Sequence, residues 1–228
     1  MWVWRALALP SRLRVVNHLS HDRSEPEARA FLAEFKARTD GRAPFFTSDQ
    51  LPAYVAALIA HDSTPEPPPA RRGPGRPRKE PRRLVDPDRR YAQVRKRREG
   101  GRVVEVKRQI LFGAEDGLIR IMETEGCGSQ INTAYVERDN LTSRRSKGRL
   151  VRKTLSHSRR KDYLQHHIDF EDAIYNLVRP HSAMRLRLRR PAAHGRRWTP
   201  RTPAMAAGLT DHIWSLEELL DYCPSPRG

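Results

Sequence analysis

Apolar and polar positions along the chain follow two periods, and the change from one period to the other marks the predicted elements. Strands are predicted where short runs of aromatic and β-branched residues occur, and helices where apolar residues recur every three or four positions. The first 61 residues contain five such segments in the order strand, strand, helix, strand, helix: 2–9, 12–19, 24–41, 43–49 and 51–59. Ser24 and Glu27 have the spacing of a capping box at the first helix. This order predicts an α/β layer rather than a helical bundle.

The periodic pattern breaks in a Pro- and Arg-rich stretch, densest over 62–90, that has few apolar residues. Such a composition is typical of a disordered linker. The elements predicted after it are a strand over 102–112, helices over 115–125, from about 132 and over 159–178, and a short helix after Ser215. The predicted organisation is a first half of the core (1–61), a basic linker (62–100), a second half of the core (101–195) and a C-terminal tail (196–228).

Charge narrows the range of partners. The chain of 228 residues carries a net charge of +17 and is 37% apolar, with 18 prolines. Residues 71–108 contain 16 basic and 5 acidic residues, and residues 138–201 contain 18 and 5. An excess of this size attracts polyanions over long range and weakens in salt. Nucleic acid is the expected partner, ahead of ribosomal, lipid or generic polyanion binding.

The start of the chain, its apolar segments and its cysteines bear on where in the cell the protein is expected. The start of the chain is apolar, but Arg5, Arg12 and Arg14 interrupt it, so we expect no signal-peptide core there. No segment approaches the roughly 20 apolar residues of a membrane span. Cys127 and Cys223 are the only cysteines and supply no disulfide framework, so we expect both to be packing residues. The sequence predicts a soluble, cytoplasmic protein with no membrane partner.

The segment 132–144 carries the most specific chemistry. Asn132 or Thr133 can accept hydrogen bonds from the free N–H groups at a helix start. Helical spacing then aligns Glu137, Asn140 and Arg144 on one face. A carboxylate there can hold a divalent metal ion while the arginine binds a phosphate of the same nucleic-acid strand.

Three motifs in order resemble the DDE-type insertion-sequence transposases: Asn-Thr-x-x-x-Glu-Arg-x-Asn-Leu-Thr at 132–142, Arg-Pro-His at 179–181, and Trp-Thr-Pro-Arg-Thr-Pro-Ala-Met-Ala at 198–206. The resemblance covers nearly the whole chain. It implies a ribonuclease H-like mixed sheet flanked by helices, here with a long basic disordered insertion. It also implies hydrolysis and strand transfer of DNA phosphodiesters with Mg²⁺ or Mn²⁺.

The resemblance also assigns the acidic residues. Two divalent ions need hard oxygen ligands, which the family supplies from three carboxylates. Asp49 occupies the second position and Glu137 the third, whereas Leu9 replaces the first aspartate, so we expect catalysis to be impaired. Asp22 is the one nearby residue that could substitute. From its position alone, Asp49 is equally well explained as an ordinary turn cap.

Several basic residues are expected to contact DNA. Arg76 and Arg78 lie in a segment that resembles an AT-hook, whose extended Arg-Pro can enter a narrow minor groove, although a non-specific basic linker is the alternative. The remaining expected contacts are Asn140, Arg144, Lys147 and Arg179. Arg179-Pro180-His181 could instead be a helix stop in which His181 caps the last carbonyls. Arg138 and Asp139 are expected at the surface.

Two functional hypotheses follow. The first is a transposase of this lineage, shortened at its N-terminus because no helix-turn-helix precedes the first core strand, and acting on transposon ends and target DNA. The second is a non-catalytic DNA-binding protein that inhibits transposition. Self-association into a homo-oligomer is left open by both. An RNA-binding or ribosomal role is a weaker third hypothesis, since no aromatic RNA-binding motif is present.

Overall fold

The computed structural model describes residues 1–40, 45–61, 63–66, 82–85, 88–151, 155–156, 158–190, 195 and 197–222. The chain forms two compact units that alternate along the sequence. The first unit comprises 1–4 and 20–137, and the second comprises 5–19 and 138–228. Strands and helices occur together, which confirms the predicted α/β class.

The elements predicted in the first 61 residues are all present. They are β1 (Trp2–Ala8), β2 (Leu13–Ser20), α1 (Glu25–Arg38), β3 (Phe46–Asp49) and α2 (Pro52–His61). β1 and β2 pair with each other, and their four-residue connection is too short for a parallel crossover, so they form the predicted hairpin. The capping box is wrong, because the Ser24 side chain makes no cap hydrogen bond. Asp22 instead makes a side-chain hydrogen bond before α1, where its Oδ1 accepts from the Ser24 N–H at 2.9 Å.

The later elements include the predicted strand over 102–112 and the four predicted helices, together with strands and turns that the sequence does not predict. The strands are β4 (Ser63–Glu66), β5 (Arg82–Val85), β6 (Tyr91–Glu99), β7 (Arg102–Phe112), β8 (Leu186–Arg187) and β9 (Trp198–Thr199). The helices are α3 (Glu115–Thr124), α4 (Ala134–Ser146), α5 (Lys161–Ala173), α6 (Pro203–Ala206) and α7 (Leu216–Asp221), with a π-helical turn at Ile174–Val178 and 3₁₀ turns at Gly148–Leu150 and Ser182–Met184. Ser215 and Glu218 form a complete capping box on α7.

A three-stranded sheet in the order β3-β6-β7 organises the first unit. β3 runs parallel to β6, and β6 runs antiparallel to β7. The predicted disordered linker 62–100 is wrong in part, because β4 and β5 within it pair with each other. Its last part, Tyr91–Glu99, is the central strand of the three-stranded sheet. Residues 91–94 are buried, whereas the rest of β6 extends beyond the end of β3 and pairs with β7 alone.

Aromatic side chains form the core of the first unit. Trp4, Phe31 and Tyr54 lie with their ring centroids 5.3–6.3 Å apart, and Phe35 packs edge-on against Phe46 at 5.5 Å. These contacts join α1 and α2 to the strands through tilted and edge-to-face arrangements, which aromatic rings favour. In the second unit, Leu164, Ile168 and Tyr175 of α5 and its π-helical turn are buried.

The larger mixed sheet implied by the resemblance is not complete in the described residues. There β1-β2, β4-β5 and β8-β9 are separate two-stranded sheets, and β3-β6-β7 is the largest. The ribonuclease H-like arrangement therefore stays a prediction. Within the same described part of the chain, no helix has the length and apolarity needed to cross a membrane.

Candidate functional site

Asp49 is the last residue of β3, and its side chain is exposed. Within the described residues its carboxylate accepts no hydrogen bond and has no cation within 4 Å, so it does not cap the turn before α2. Its negative charge nevertheless reaches the phenols of the half-buried Tyr54 and the buried Tyr91. Burial raises the pKa of Tyr54, and the Asp49 charge adds to that rise, as it does for Tyr91. Asp49 is an uncommitted carboxylate at the end of a strand.

Glu137 lies in the first turn of α4 and is held by two side chains. Its Oε1 accepts from the Lys96 ammonium of β6 and from the Thr133 hydroxyl, the latter at 2.6 Å. Burial raises the pKa of Glu137, but the hydrogen bonds from Lys96 and Thr133 and the charges of Lys96 and Arg98 outweigh burial and leave it below its ordinary value. Glu137 is therefore ionised at neutral pH and is paired with an ammonium group.

The sheet register brings Asp49 and Lys96 onto one face. Asp49 lies opposite Val94 in the parallel β3-β6 pair, and Lys96 follows two residues later on β6. Because side chains on a strand alternate, Lys96 points to the same face as Val94 and Asp49, with about 8 Å between the Asp49 and Lys96 Cα atoms. We call this face, with Glu137 above it, the acid face.

Arg108 fixes the segment that leads into α4 over the acid face. It lies opposite Val94 on β7, and its guanidinium donates to the Ile131 carbonyl at 2.8 Å and to Gln130 Oε1 at 3.1 Å. Asn132 Oδ1 then accepts from the Ala134 N–H at 3.1 Å, as predicted for the start of this helix. The fold therefore brings both predicted acids to the face of the sheet that carries Lys96, and Lys96 donates to Glu137.

This group of donors does not fit a two-ion metal centre. The resemblance implies three carboxylates for such a centre, whereas the acid face holds two, with an ammonium group beside Glu137. Across the described part of the chain, no three His, Cys, Asp or Glu side chains lie together in a way that could hold a metal ion.

The residues considered for the missing first acid have other environments. Leu9 is half-buried in the connection between β1 and β2 and has no ligating atom. Asp22 is exposed, and its hydrogen bonds with Ser24 lower its pKa. Its carboxylate is thus engaged in a local turn, which gives no support to the substitution considered from the sequence.

The residues predicted to contact DNA fall into three groups. Arg144 and Arg179 are exposed and Asn140 is half-buried, so these side chains are accessible. Arg76 and Arg78 lie outside the described residues. Lys147 is 1% exposed, and its Nζ donates to Asp172 Oδ1 at 3.2 Å, so its ammonium faces the interior rather than a phosphate.

Asp139 is not the surface residue that the sequence predicted. It is buried in the second unit, where it accepts from Arg5 at 2.6 Å and from the Arg14 Nε and Nη2 at 3.0 and 2.7 Å. Arg14 also donates to Asp172 at 2.8 Å. With Lys147, these residues form a buried cluster of three cations and two carboxylates, which we call the ion cluster. Arg138, by contrast, is exposed as predicted.

Polar side chains complete the ion cluster. Arg5 Nε donates to Asn17 Oδ1 at 2.6 Å, and Arg5 Nη2 donates to Ser143 Oγ at 3.0 Å. The Arg14 guanidinium also lies 3.7 Å above the centre of the Tyr175 ring. Spacing on α4 gave one clue to this cluster, because Asp139 and Ser143 lie four residues apart and thus share a helix face.

The last residue of the motif at 179–181 has a structural role in the turn that follows. The π-helical turn ends at Val178, and His181 Nδ1 accepts from the Ala183 N–H of the following 3₁₀ turn at 3.3 Å. His181 therefore caps the turn after it rather than the carbonyls before it. Cys127 is buried, as expected of a packing residue, and Cys223 lies outside the described residues.

Comparison of the chain with protein-family models, with curated proteins and with solved structures gave no match.

Proposed function

We propose that this chain is a DNA-binding protein of the DDE-transposase lineage that does not cleave DNA. The observation that carries the proposal is the acid face, where Lys96 is bonded to Glu137 on the same side of the sheet as Asp49. An ammonium group there supplies the positive charge that a divalent ion would supply in an active enzyme. It neutralises Glu137 without activating a water molecule or a phosphodiester.

Charge supports the DNA-binding part of the proposal. The net charge of +17 is concentrated in two runs, and one of them includes the exposed Arg138, Arg144 and Arg145 of α4. On the same helix Asp139 and Ser143 are buried, so the cations occupy the outer side. Such side chains provide phosphate contacts that position a protein on DNA without reading its sequence.

A second candidate function is metal-dependent DNA cleavage, and the uncommitted carboxylate of Asp49 favours it. In that case Asp49 and Glu137 would be the residues that hold Mg²⁺ or Mn²⁺. Leu9, at the position of the first aspartate in the resemblance, would limit the rate.

Binding and nicking assays distinguish the two functions. We expect the wild type to bind duplex DNA with an affinity that falls steeply with salt, and to leave supercoiled plasmid intact with either metal. Leu9→Asp should also leave the plasmid intact, because Lys96 remains bonded to Glu137 and neutralises its carboxylate. Nicking by Leu9→Asp that is lost in Leu9→Asp/Glu137→Ala would establish the second function instead. Failure of the wild type to bind DNA at low salt would refute both.

A further inference from the structure

The face of the sheet opposite the acid face has an unusual pair of cations. On the antiparallel β6-β7 ladder, Gln93 lies opposite Gln109 and Arg95 lies opposite Lys107. These four residues share one face, which we call the outer face. Like charges directly opposite each other on a sheet destabilise it, so the Arg95-Lys107 pair is not explained by folding.

Neutralisation of this pair within the protein is incomplete. Lys107 reaches Glu105 at 3.4 Å, but Glu105 is shared with Arg97 at 3.3 Å. Arg95 is exposed and has no carboxylate within 4 Å among the described residues. The outer face therefore retains positive charge that an external anion could neutralise.

The outer face also has the shape of a binding surface. Its four residues line a concavity of about 360 Å³ together with Gln50 and with Arg108, whose guanidinium reaches the segment over the acid face. Gln93 is 5% exposed and is fixed by its donation to the Tyr91 hydroxyl at 2.8 Å. Arginine, lysine and glutamine are side chains that contact phosphate oxygens in protein–DNA complexes.

The outer part of the β6-β7 pair, which carries Arg95 and Lys107, forms a two-stranded ribbon. Beyond Val94 the two strands pair only with each other, and they turn at Gly100-Gly101, whose φ angles of +55° and +81° suit a two-residue hairpin turn. A two-stranded ribbon is narrow enough to enter the major groove of DNA, which is about 12 Å wide.

We propose that the outer face binds the phosphodiester backbone of duplex DNA, with Arg95 and Lys107 as phosphate contacts. This inference rests on the proposed DNA binding and adds a second contact surface, on the side of the sheet away from Asp49 and Glu137. A polyanion other than DNA is the competing occupant.

The test compares Arg95→Gln/Lys107→Gln with the matched variant Lys36→Gln/Arg120→Gln, which removes the same charge from exposed positions on α1 and α3. Binding of a fluorescent DNA duplex would be measured by anisotropy over a NaCl series from about 0.05 to 0.2 M. Each phosphate contact contributes about 0.9 to the slope of log K against log salt, so the first variant should lower the slope by about 1.8. The control should change it far less.

Each outcome is decisive. Arg95→Gln and Lys107→Gln alone should each lower the slope by about 0.9, and circular dichroism should show the double variant at least as stable as the wild type, because it loses a repulsive pair. Equal slopes in the double variant and the control would refute the outer face while leaving the proposed function intact. A loss of heparin binding without a loss of DNA binding would also refute it. If the wild type does not bind DNA, the proposed function fails as well.

Discussion

Replacement of Asp139 by alanine should be among the most destabilising single changes in the second unit. Asp139 is the carboxylate on which both buried arginines converge, and it accepts three hydrogen bonds of 2.6–3.0 Å from Arg5 and Arg14. Its side chain is 5% exposed and those of both arginines are 2% exposed. Water cannot replace the lost partner unless the packing around these residues opens.

The structure sets the size of this effect. Removing one partner of a buried ion pair costs about 3–5 kcal/mol, because the remaining charge stays buried without compensation. Here the cluster would change from three cations and two carboxylates to three cations and one, so we expect the upper part of that range. For a chain of this length each kcal/mol lowers the midpoint of thermal unfolding by about 2–4 °C, so a loss of about 4–5 kcal/mol gives a decrease of roughly 8–20 °C.

Urea and thermal unfolding followed by circular dichroism would measure the change. Asp162→Ala is the matched control, since it removes a carboxylate paired with Arg160 at the exposed start of α5 and should leave the midpoint unchanged within error. Asp139→Asn should fall between the control and Asp139→Ala, because an amide can accept hydrogen bonds without carrying charge. A loss below about 1 kcal/mol for Asp139→Ala would show that the ion cluster is not buried as described.

Three further predictions concern Lys96, Lys147 and Gly113. Lys96→Met should raise the pKa of Glu137 in a carboxyl NMR titration, because the substitution removes a hydrogen bond and a charge that lower this pKa. In the wild type, ionised Glu137 stabilises the fold above its ordinary pKa of 4.5. This stabilisation is lost as pH falls through the lower pKa of the folded state. Burial lowers the pKa of Lys147, so the unfolded state binds more protons at this residue between the folded value and 10.5, and the contribution of Lys147 to stability should rise with pH across that window. Lys147→Met should abolish this rise. It leaves two arginines with two carboxylates, so no charge in the ion cluster loses its compensation, and the variant should be neutral or stabilising by about 1 kcal/mol at pH 7 in urea unfolding. Clear destabilisation there would contradict the argument. Gly113→Ala should lower the free energy of unfolding by about 1–2 kcal/mol in urea unfolding, because the φ angle is +91° and a Cβ would lie 3.1 Å from the Arg90 Cγ. An unchanged midpoint would show that the turn relaxes.

Local patterns predicted most of the elements, because each depends on residues close in sequence. α5 followed from apolar spacing and β7 from alternation, and Ser215 marked the start of α7 correctly. β6 was included in the linker because four consecutive cations, 95–98, hide its alternation. Its strand conformation depends on pairing with both β3 and β7, which no local pattern reports.

The candidate site could be predicted only in part for the same reason. Glu137 and Asp49 were identified from motifs, but the bond from Lys96 to Glu137 joins residues 41 positions apart. The burial of Asp139 depends on Arg5 and Arg14, which lie 134 and 125 positions earlier. Charged residues are expected at a surface unless such partners exist, so sequence alone favoured the wrong environment for Asp139.

The alternation of β6 gives its run of cations two separate roles. Adjacent residues of a strand point to opposite faces, so Lys96 turns towards Glu137 while Arg95 turns to the outer face beside Lys107. Lys96 thereby neutralises Glu137, whereas Arg95 stays available to an external anion. If DNA binds the outer face, then Arg95→Gln must weaken binding without changing the pKa of Glu137. Lys96→Met must change the pKa of Glu137 without weakening DNA binding at the outer face, because the two side chains lie on opposite sides of the sheet.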